Sequence, residues 1–152
     1  MSHTATAQPL AGYKVIDLTT FLSGPFCTQV LGDLGAEVVK IEAPEGDSSR
    51  SIPPHFVGED SAYYLSINRN KSSLAVNLKT AEGLDLVRQL ILKADVVVEN
   101  YRPGVAARLG LDPQALCEEH PGLVWASISG FGQTGPDRDK PAFDMIVQAL
   151  SG

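Results

Sequence analysis

An α/β fold is predicted, a parallel sheet with helices on both faces. Three observations point to it. The strand candidates are short, rich in Val and Ile, and lack the in–out alternation of a half-exposed sheet. Helical patterns or turns, not tight hairpins, follow them. Helix-opening and helix-closing residues recur at the boundaries.

Each element follows from its residues. Lys14 to Leu18 (KVIDL) reads as the first strand. After a turn at Ser23-Gly24-Pro25, the residues Phe26, Val30, Leu31 and Leu34 recur at helical spacing, with Pro25 at the first helical position and Gly35 as the stop. Ala36 to Ile41 is the second strand, so residues 14–41 make one βαβ unit whose helix begins beside the carboxyl end of strand one. Residues 43–70 carry Pro44, Gly46, Pro53, Pro54, Gly58, Glu59 and Asp60, and are expected to run over the surface. Ser73 to Leu78 is the third strand. Thr80 caps a helix whose buried face is Leu84, Val87, Leu90 and Ile91. Ala94 to Glu99 is strand four. A short helix, Val105 to Leu109, ends at Gly110, and Asp112-Pro113 opens another that reaches about Glu119. Leu123 to Ile128 is strand five, and Phe143 to Leu150 has a helical pattern.

Composition narrows the function. The chain has 152 residues, 43% of them apolar and 20% charged, the balance of one globular domain able to bury a core. Residues 1–9 are expected to be a disordered tail and 10–152 the domain. No apolar run is long enough to cross a bilayer, and Met1 to Pro9 lacks the apolar stretch of a secretory signal, so a cytoplasmic location is the expectation. The net charge of −6 argues against nonspecific nucleic-acid binding. Cys27 and Cys117 are distant in sequence and read as buried thiols; His3, His55 and His120 have no ligand spacing, so no metal is expected.

Gly130-Phe131-Gly132-Gln133-Thr134-Gly135 satisfies the spacing G-x-G-x-x-G of dinucleotide loops. That motif works when a strand enters it and a helix begins inside it. Here Pro136 and Pro141 bound a polar stretch that would stop such a helix, and Gly152 is reached before the acidic residue expected about 20 positions on, at the end of a second strand, could occur. A glycine-rich connection is the expected role.

In parallel sheets ligands sit beyond the carboxyl ends of the strands. Five loops are expected there: Thr19 to Ser23, Glu42 to Pro44, Asn77 to Lys79, Asn100 to Arg102, and Ser129 to Gly132.

Four ordered blocks, LAGYKVIDLTTFLSGPFCTQVLGDLGAEVVKIE (10–42), NRNKSSLAVNLKTAEG (68–83), ADVVVENYRPGVAARLG (94–110) and SISGFGQTGPDRDKPAFDMIVQALSG (127–152), resemble the amino-terminal part of the class III CoA-transferases. That superfamily also contains the 2-methylacyl-CoA racemases. The resemblance implies a Rossmann-like fold, incomplete relative to the full-length enzymes, and a site for a CoA thioester. It implies no permanently bound cofactor, with coenzyme A arriving as part of the substrate. Acyl-CoA and carboxylic acid substrates and an interlocked homodimer of the full-length enzyme are the implied partners. The chain corresponds to roughly the first two fifths of such enzymes and ends within a helical pattern, as expected of a fragment. The family's nucleophilic aspartate follows the equivalent of Gly152, so this segment is expected to contain no catalytic residue and to be inactive alone.

The resemblance also assigns binding roles. Arg108 matches a basic residue that clamps CoA phosphate, and Arg102 is a second candidate; a guanidinium suits such an anion because it donates two parallel hydrogen bonds. Asn100 and Tyr101 match residues that touch CoA. Val76, Asn77, Leu78 and Lys79 end strand three, with Asn77 and Leu78 offering backbone groups to adenine and Lys79 a charge to phosphate. Thr20, Phe21, Leu22 and Ser23 form the loop where relatives place a His or Gln near the thioester, and this chain has neither. Ala43 stands where some relatives have an arginine, with Arg50 as a possible substitute, and Lys140 matches a CoA-contacting lysine. At Phe143-Asp144 the racemases place a His before the Asp. Phenylalanine cannot exchange a proton, so transferase chemistry is favoured over a racemase or isomerase. A noncatalytic nucleotide-binding interaction module is the third possibility.

Overall fold

The computed structural model describes residues 8–152. Most of the expected tail, with His3, lies outside the described residues. The strands are β1 (Lys14–Leu18), β2 (Glu37–Glu42), β3 (Phe56–Val57), β4 (Asp60–Ser61), β5 (Lys71–Ala75), β6 (Val96–Glu99) and β7 (Val124–Ser127). The helices are α1 (Ser23–Asp33), α2 (Ala62–Ile67), α3 (Ala81–Ile91), α4 (Val105–Arg108), α5 (Pro113–Glu119) and α6 (Asp144–Ser151). Five strands form one sheet in the order β5-β2-β1-β6-β7, all parallel, and β3 and β4 form a separate antiparallel hairpin. The chain runs outward from β1 to β5, then returns to the other side of β1, so the strand order reverses between β1 and β6. In such sheets ligand crevices open at that reversal.

Two apolar layers cover the sheet. On one face Ile16, Leu18, Ile41 and Val97 pack with Val87 and Ile91 of α3 and with Leu111 and Leu116 around α5. On the other, Val15, Val38 and Val98 pack with Cys27 and Leu31 of α1. Both faces of the central strands β1, β2 and β6 are covered, which is why no alternation appears in their sequences, while the edge strands β5 and β7 stay partly exposed. Thr80 caps α3 by accepting from Gly83 N, and Asp112 caps α5 by accepting from Ala115 N, with Pro113 in the first turn, as the sequence predicts.

Four expectations change. The third strand is Lys71–Ala75, earlier than Ser73 to Leu78, so Val76 to Lys79 lie past its end. Residues 43–70 are not merely a surface excursion. They contain a 3-10 turn (Ser48–Ser51), the hairpin and α2, and they bury Ser49, Ser61, Tyr64 and Ile67. Cys27 and Cys117 are free and only half-buried.

The fourth change concerns α1. Of the residues whose spacing announces this helix, only Leu31 packs against the core; Phe26, Val30 and Leu34 are exposed. Phe26 is 54% exposed and Val30 40%, while Gly24, Pro25, Thr28, Gln29 and Gly32 face the sheet. The physical reason is a polar group on β1: Asp17 lies fully buried beneath α1 and takes the Thr28 hydroxyl at 2.6 Å. A Cβ at Gly24 would lie 2.4 Å from the Thr19 side chain, so the helix start and the end of β1 are in contact. At the other end of the chain α6 buries none of its residues.

Candidate functional site

A cleft of about 470 Å³ opens at the carboxyl edge of the sheet. Its walls come from Thr19 and Thr20 after β1, residues 43–48 after β2, residues 76–79 after β5, and Tyr101 and Leu109 around β6 and α4. Four of the five loops expected at this edge therefore meet. The fifth, Ser129 to Gly132, does not line the cleft. No helix begins in its glycine run, as the bounding prolines predict, and Gly130 instead allows a close approach: a Cβ there would lie 1.9 Å from the Ala142 Cβ.

Behind Thr19 and Asp47 of the cleft lining, on the α1 side, lies a buried ionic network. Asp17 Oδ1 accepts from Thr19 N at 2.9 Å and from the Thr19 hydroxyl at 2.5 Å, and Oδ2 accepts from Thr28 and from Lys71 Nζ at 2.9 Å. Lys71, on β5, gives its remaining hydrogens to Pro25 O and Asn68 Oδ1. Burial lowers the Lys71 ammonium from its ordinary value, against the pull of Asp17. Lys40, on β2, donates to Thr19 O at 2.7 Å and stands 2.9 Å from Asp47 Oδ2, an ion pair whose angle is not that of a hydrogen bond. Thr19 is thus held from both sides by charged groups out of contact with water.

The wall formed by residues 43–48 is held by Glu42 and Arg50. Arg50 donates to both Glu42 oxygens, at 2.8 and 2.7 Å, to Asp60 at 2.8 Å and to the Tyr64 hydroxyl at 2.6 Å, and its guanidinium lies 3.9 Å from the centre of the Tyr64 ring. Burial alone would raise the Glu42 carboxyl, but donors from Arg50, Ser73, the Asp47 amide and Tyr64 outweigh it and hold it down to about 2. Arg50 is accordingly committed within the fold. It does not stand in for the arginine absent at Ala43, because two carboxylates already neutralise it.

The unpaired cations are distributed unevenly. Among the described residues, Lys14, Lys79, Lys93, Arg102 and Arg108 take part in no ion pair. Lys14 and Lys93 stand at the amino ends of strands. Lys79, Arg102 and Arg108 all stand at the carboxyl edge. Lys79 lines the cleft, and the exposed Arg108 adjoins its wall at Leu109. Tyr101 is pushed up to about 12 by burial, then by Glu99 and Asp17, so its ring faces the cleft as a neutral phenol.

The other sequence-predicted residues divide. Thr20, Val76, Asn77 and Leu78 line the cleft. Asn100 does not line it; its side chain bonds the Thr20 backbone. Phe21 takes a φ of 67° and, with Leu22 and Ser23, stands exposed at the rim, where α1 begins without a side-chain cap. Lys140 is exposed, paired with Asp137 at 2.7 Å, and does not line the cleft. Phe143 precedes α6 without capping it, and Asp144 is the first residue of that helix, accepting from Gln148. Sequence reasoning missed Asp17, Lys40, Asp47 and Lys71. For Asp17 and Lys40 the signal was present, since a charge inside an otherwise apolar strand such as VIDL or VVKI must find a partner; Asp47, in a loop, and Lys71, at the start of a polar strand, carried no such signal.

A sequence model described as CoA-transferase family III matches residues 10–152. The chain belongs to this family. Among its CoA-transferase relatives, the human succinyl-CoA:glutarate CoA-transferase is 48% identical over 146 residues, covering 95% of this chain and 33% of that one. The acetyl-CoA:oxalate CoA-transferase of Acetobacter aceti is 47% identical over 156 residues, covering 100% and 40%. The chain therefore spans about a third to two fifths of the length of these family III relatives. Two crystal structures superpose closely. The Mycobacterium tuberculosis protein Rv3272 gives a TM-score of 0.88 at 41% identity, over 96% of this chain and 40% of that one. A CAIB/BAIF family protein from Brucella suis gives 0.90 at 41%, over 95% and 39%. Among the described residues no helix is long and apolar enough to cross a membrane.

Proposed function

We propose that this chain is the CoA-binding portion of a CoA-transferase that moves CoA from an acyl-CoA thioester to a carboxylic acid. The observation that carries this reading is that three unpaired cations, Lys79, Arg102 and Arg108, stand at the edge of the sheet where a cleft walled by four loops opens, Lys79 on its lining. A net negative chain that leaves three of its five unpaired cations at this edge favours an anionic ligand there. CoA suits the arrangement. Its phosphates meet the guanidinium groups, its adenine meets the backbone of Asn77 and Leu78, and its pantetheine arm passes the Tyr101 ring toward Thr20. Thr20, Phe21, Leu22 and Ser23 then lie at the acyl end, beside the uncapped start of α1, whose positive pole favours developing negative charge.

In this reading an enzyme carboxylate attacks the thioester carbonyl and expels CoA thiolate to leave a mixed anhydride; the thiolate then attacks the aspartyl carbonyl, giving an aspartyl-CoA thioester and releasing the donor acid as its carboxylate. The nucleophilic aspartate is supplied from outside these residues, and the chain alone binds without turnover. The full-length enzyme is an interlocked homodimer. The exposed Phe143, at the position where a racemase needs a proton-transferring group, favours transfer over racemisation.

Thermal-shift and calorimetric titration of the chain with CoA, dephospho-CoA and ATP tests the proposal. Saturable binding of CoA, weakened when the 3′-phosphate is removed, is expected. A midpoint unmoved by millimolar CoA in a folded chain overturns it.

A further inference from the structure

β1 and β6 pair in register as far as Leu18 opposite Glu99. Beyond that point their chains part toward opposite faces of the sheet, β1 into α1 and β6 toward α4 and α5. At this fork the Asn100 side chain makes two hydrogen bonds to one residue 80 positions away: its Oδ1 accepts from Thr20 N at 2.9 Å, and its Nδ2 donates to Thr20 O at 2.7 Å. A primary amide presents the same donor and acceptor pair as a peptide unit, so the side chain continues the ladder where backbone pairing stops. The next residue, Phe21, is held at a φ of 67°, and the exposed Phe21 and Leu22 form the tip of the loop beside the cleft.

We infer that Asn100 is a positioning residue, a two-bond latch across the strand fork that sets where the Thr20–Leu22 loop stands over the cleft. Asn100 does not line the cleft, and one N–H and one lone pair of its amide are spent on the Thr20 backbone, so its effect on a ligand passes through Thr20, which does line it. Thr19, one residue earlier, is fixed by Asp17 and Lys40, so without the latch the loop would be anchored on one side only. The influence on ligand binding rests on the CoA reading above; the latch itself does not.

Asn100→Asp and Asn100→Ala separate the possibilities. The aspartate keeps the acceptor for Thr20 N but turns a second oxygen toward Thr20 O. The charged residues nearest along the chain are Glu99 and Arg102, and on the β1 side of the fork Asp17 and Lys40 are already engaged with Thr19 and Lys71. Repulsion from Thr20 O and the nearby carboxylates raises the new carboxyl, and protonation restores a donor, so the latch re-forms as pH falls.

Hydrogen–deuterium exchange of the segment around Thr20 is measured at about pH 5 and about pH 8, corrected for intrinsic rates, alongside CoA titration. In Asn100→Ala, Thr20 exchange rises and CoA affinity falls, each by about tenfold at both pH values. In Asn100→Asp both losses are present at the higher pH and recovered at the lower. Unchanged Thr20 exchange in Asn100→Ala overturns the latch. Faster exchange with unaltered CoA affinity overturns its role in binding, and lost affinity with unaltered exchange makes Asn100 a direct ligand contact instead. Should the alanine variant fail to fold, the pH response of the aspartate variant decides alone. If the unmodified chain binds no CoA, the CoA reading fails while the exchange measurement still decides the latch.

Discussion

Lys71 and Asp17, 54 residues apart and two strands from one another in the sheet, meet at 2.9 Å with both side chains buried. All three ammonium hydrogens and both carboxylate oxygens are engaged. Such a pair adds little over an apolar one of equal volume, but leaving one partner alone is costly. Lys71→Met is expected to destabilise by about 3–5 kcal/mol, and Lys71→Met combined with Asp17→Leu by less than the sum of the single losses. Urea denaturation of the single and double variants checks this.

Glu42 ties stability to pH. Its folded value of about 2 lies below the ordinary 4.5. The unfolded chain therefore binds this proton first on acidification. The contribution of the ionised carboxylate is complete above 4.5 and is lost as pH falls toward 2. At most about 3 kcal/mol is at stake. Unfolding free energy followed across that interval should show a slope reduced by up to one proton in Glu42→Gln.

Gly83 opposes two effects. Alanine would favour α3 by about 1 kcal/mol. Its Cβ would lie 2.2 Å from the Asn77 carbonyl, which is backbone and cannot swing away. The clash wins, at about 1–3 kcal/mol. Gly83→Ala should lower the melting temperature and, by displacing the Asn77–Lys79 turn, weaken CoA binding. Crystal coordinates of the variant would show whether the turn moved.

Arg108→Ala should lower CoA affinity about tenfold, with Arg108→Lys recovering only part because a lysine lacks the bidentate fork. Lys140→Ala should have no effect, given its place beside Asp137. Calorimetry of the three variants with CoA and dephospho-CoA tests both statements.

On α1 the expected ranking inverts what hydrophobicity suggests. Phe26→Ser should cost under about 0.5 kcal/mol in this chain, because the ring is exposed. Thr28→Val, which strips a donor from buried Asp17, should cost about 1–3 kcal/mol. Paired urea melts measure the difference.

The strand cores, the caps at Thr80 and Asp112 and the absence of a helix at Gly132 were legible in the sequence, because each depends on residues a few positions apart; the gathering of polar loops at one edge was legible because parallel strands end on the same side. Tertiary structure alone decided which side of α1 is buried, that Arg50 serves Glu42, Asp60 and Tyr64 instead of a ligand, and that Asn100 grips Thr20. Those outcomes join groups brought together only when β5, β2, β1 and β6 lie side by side. A buried charge takes whatever partner the assembled sheet presents, and local periodicity carries no record of that partner.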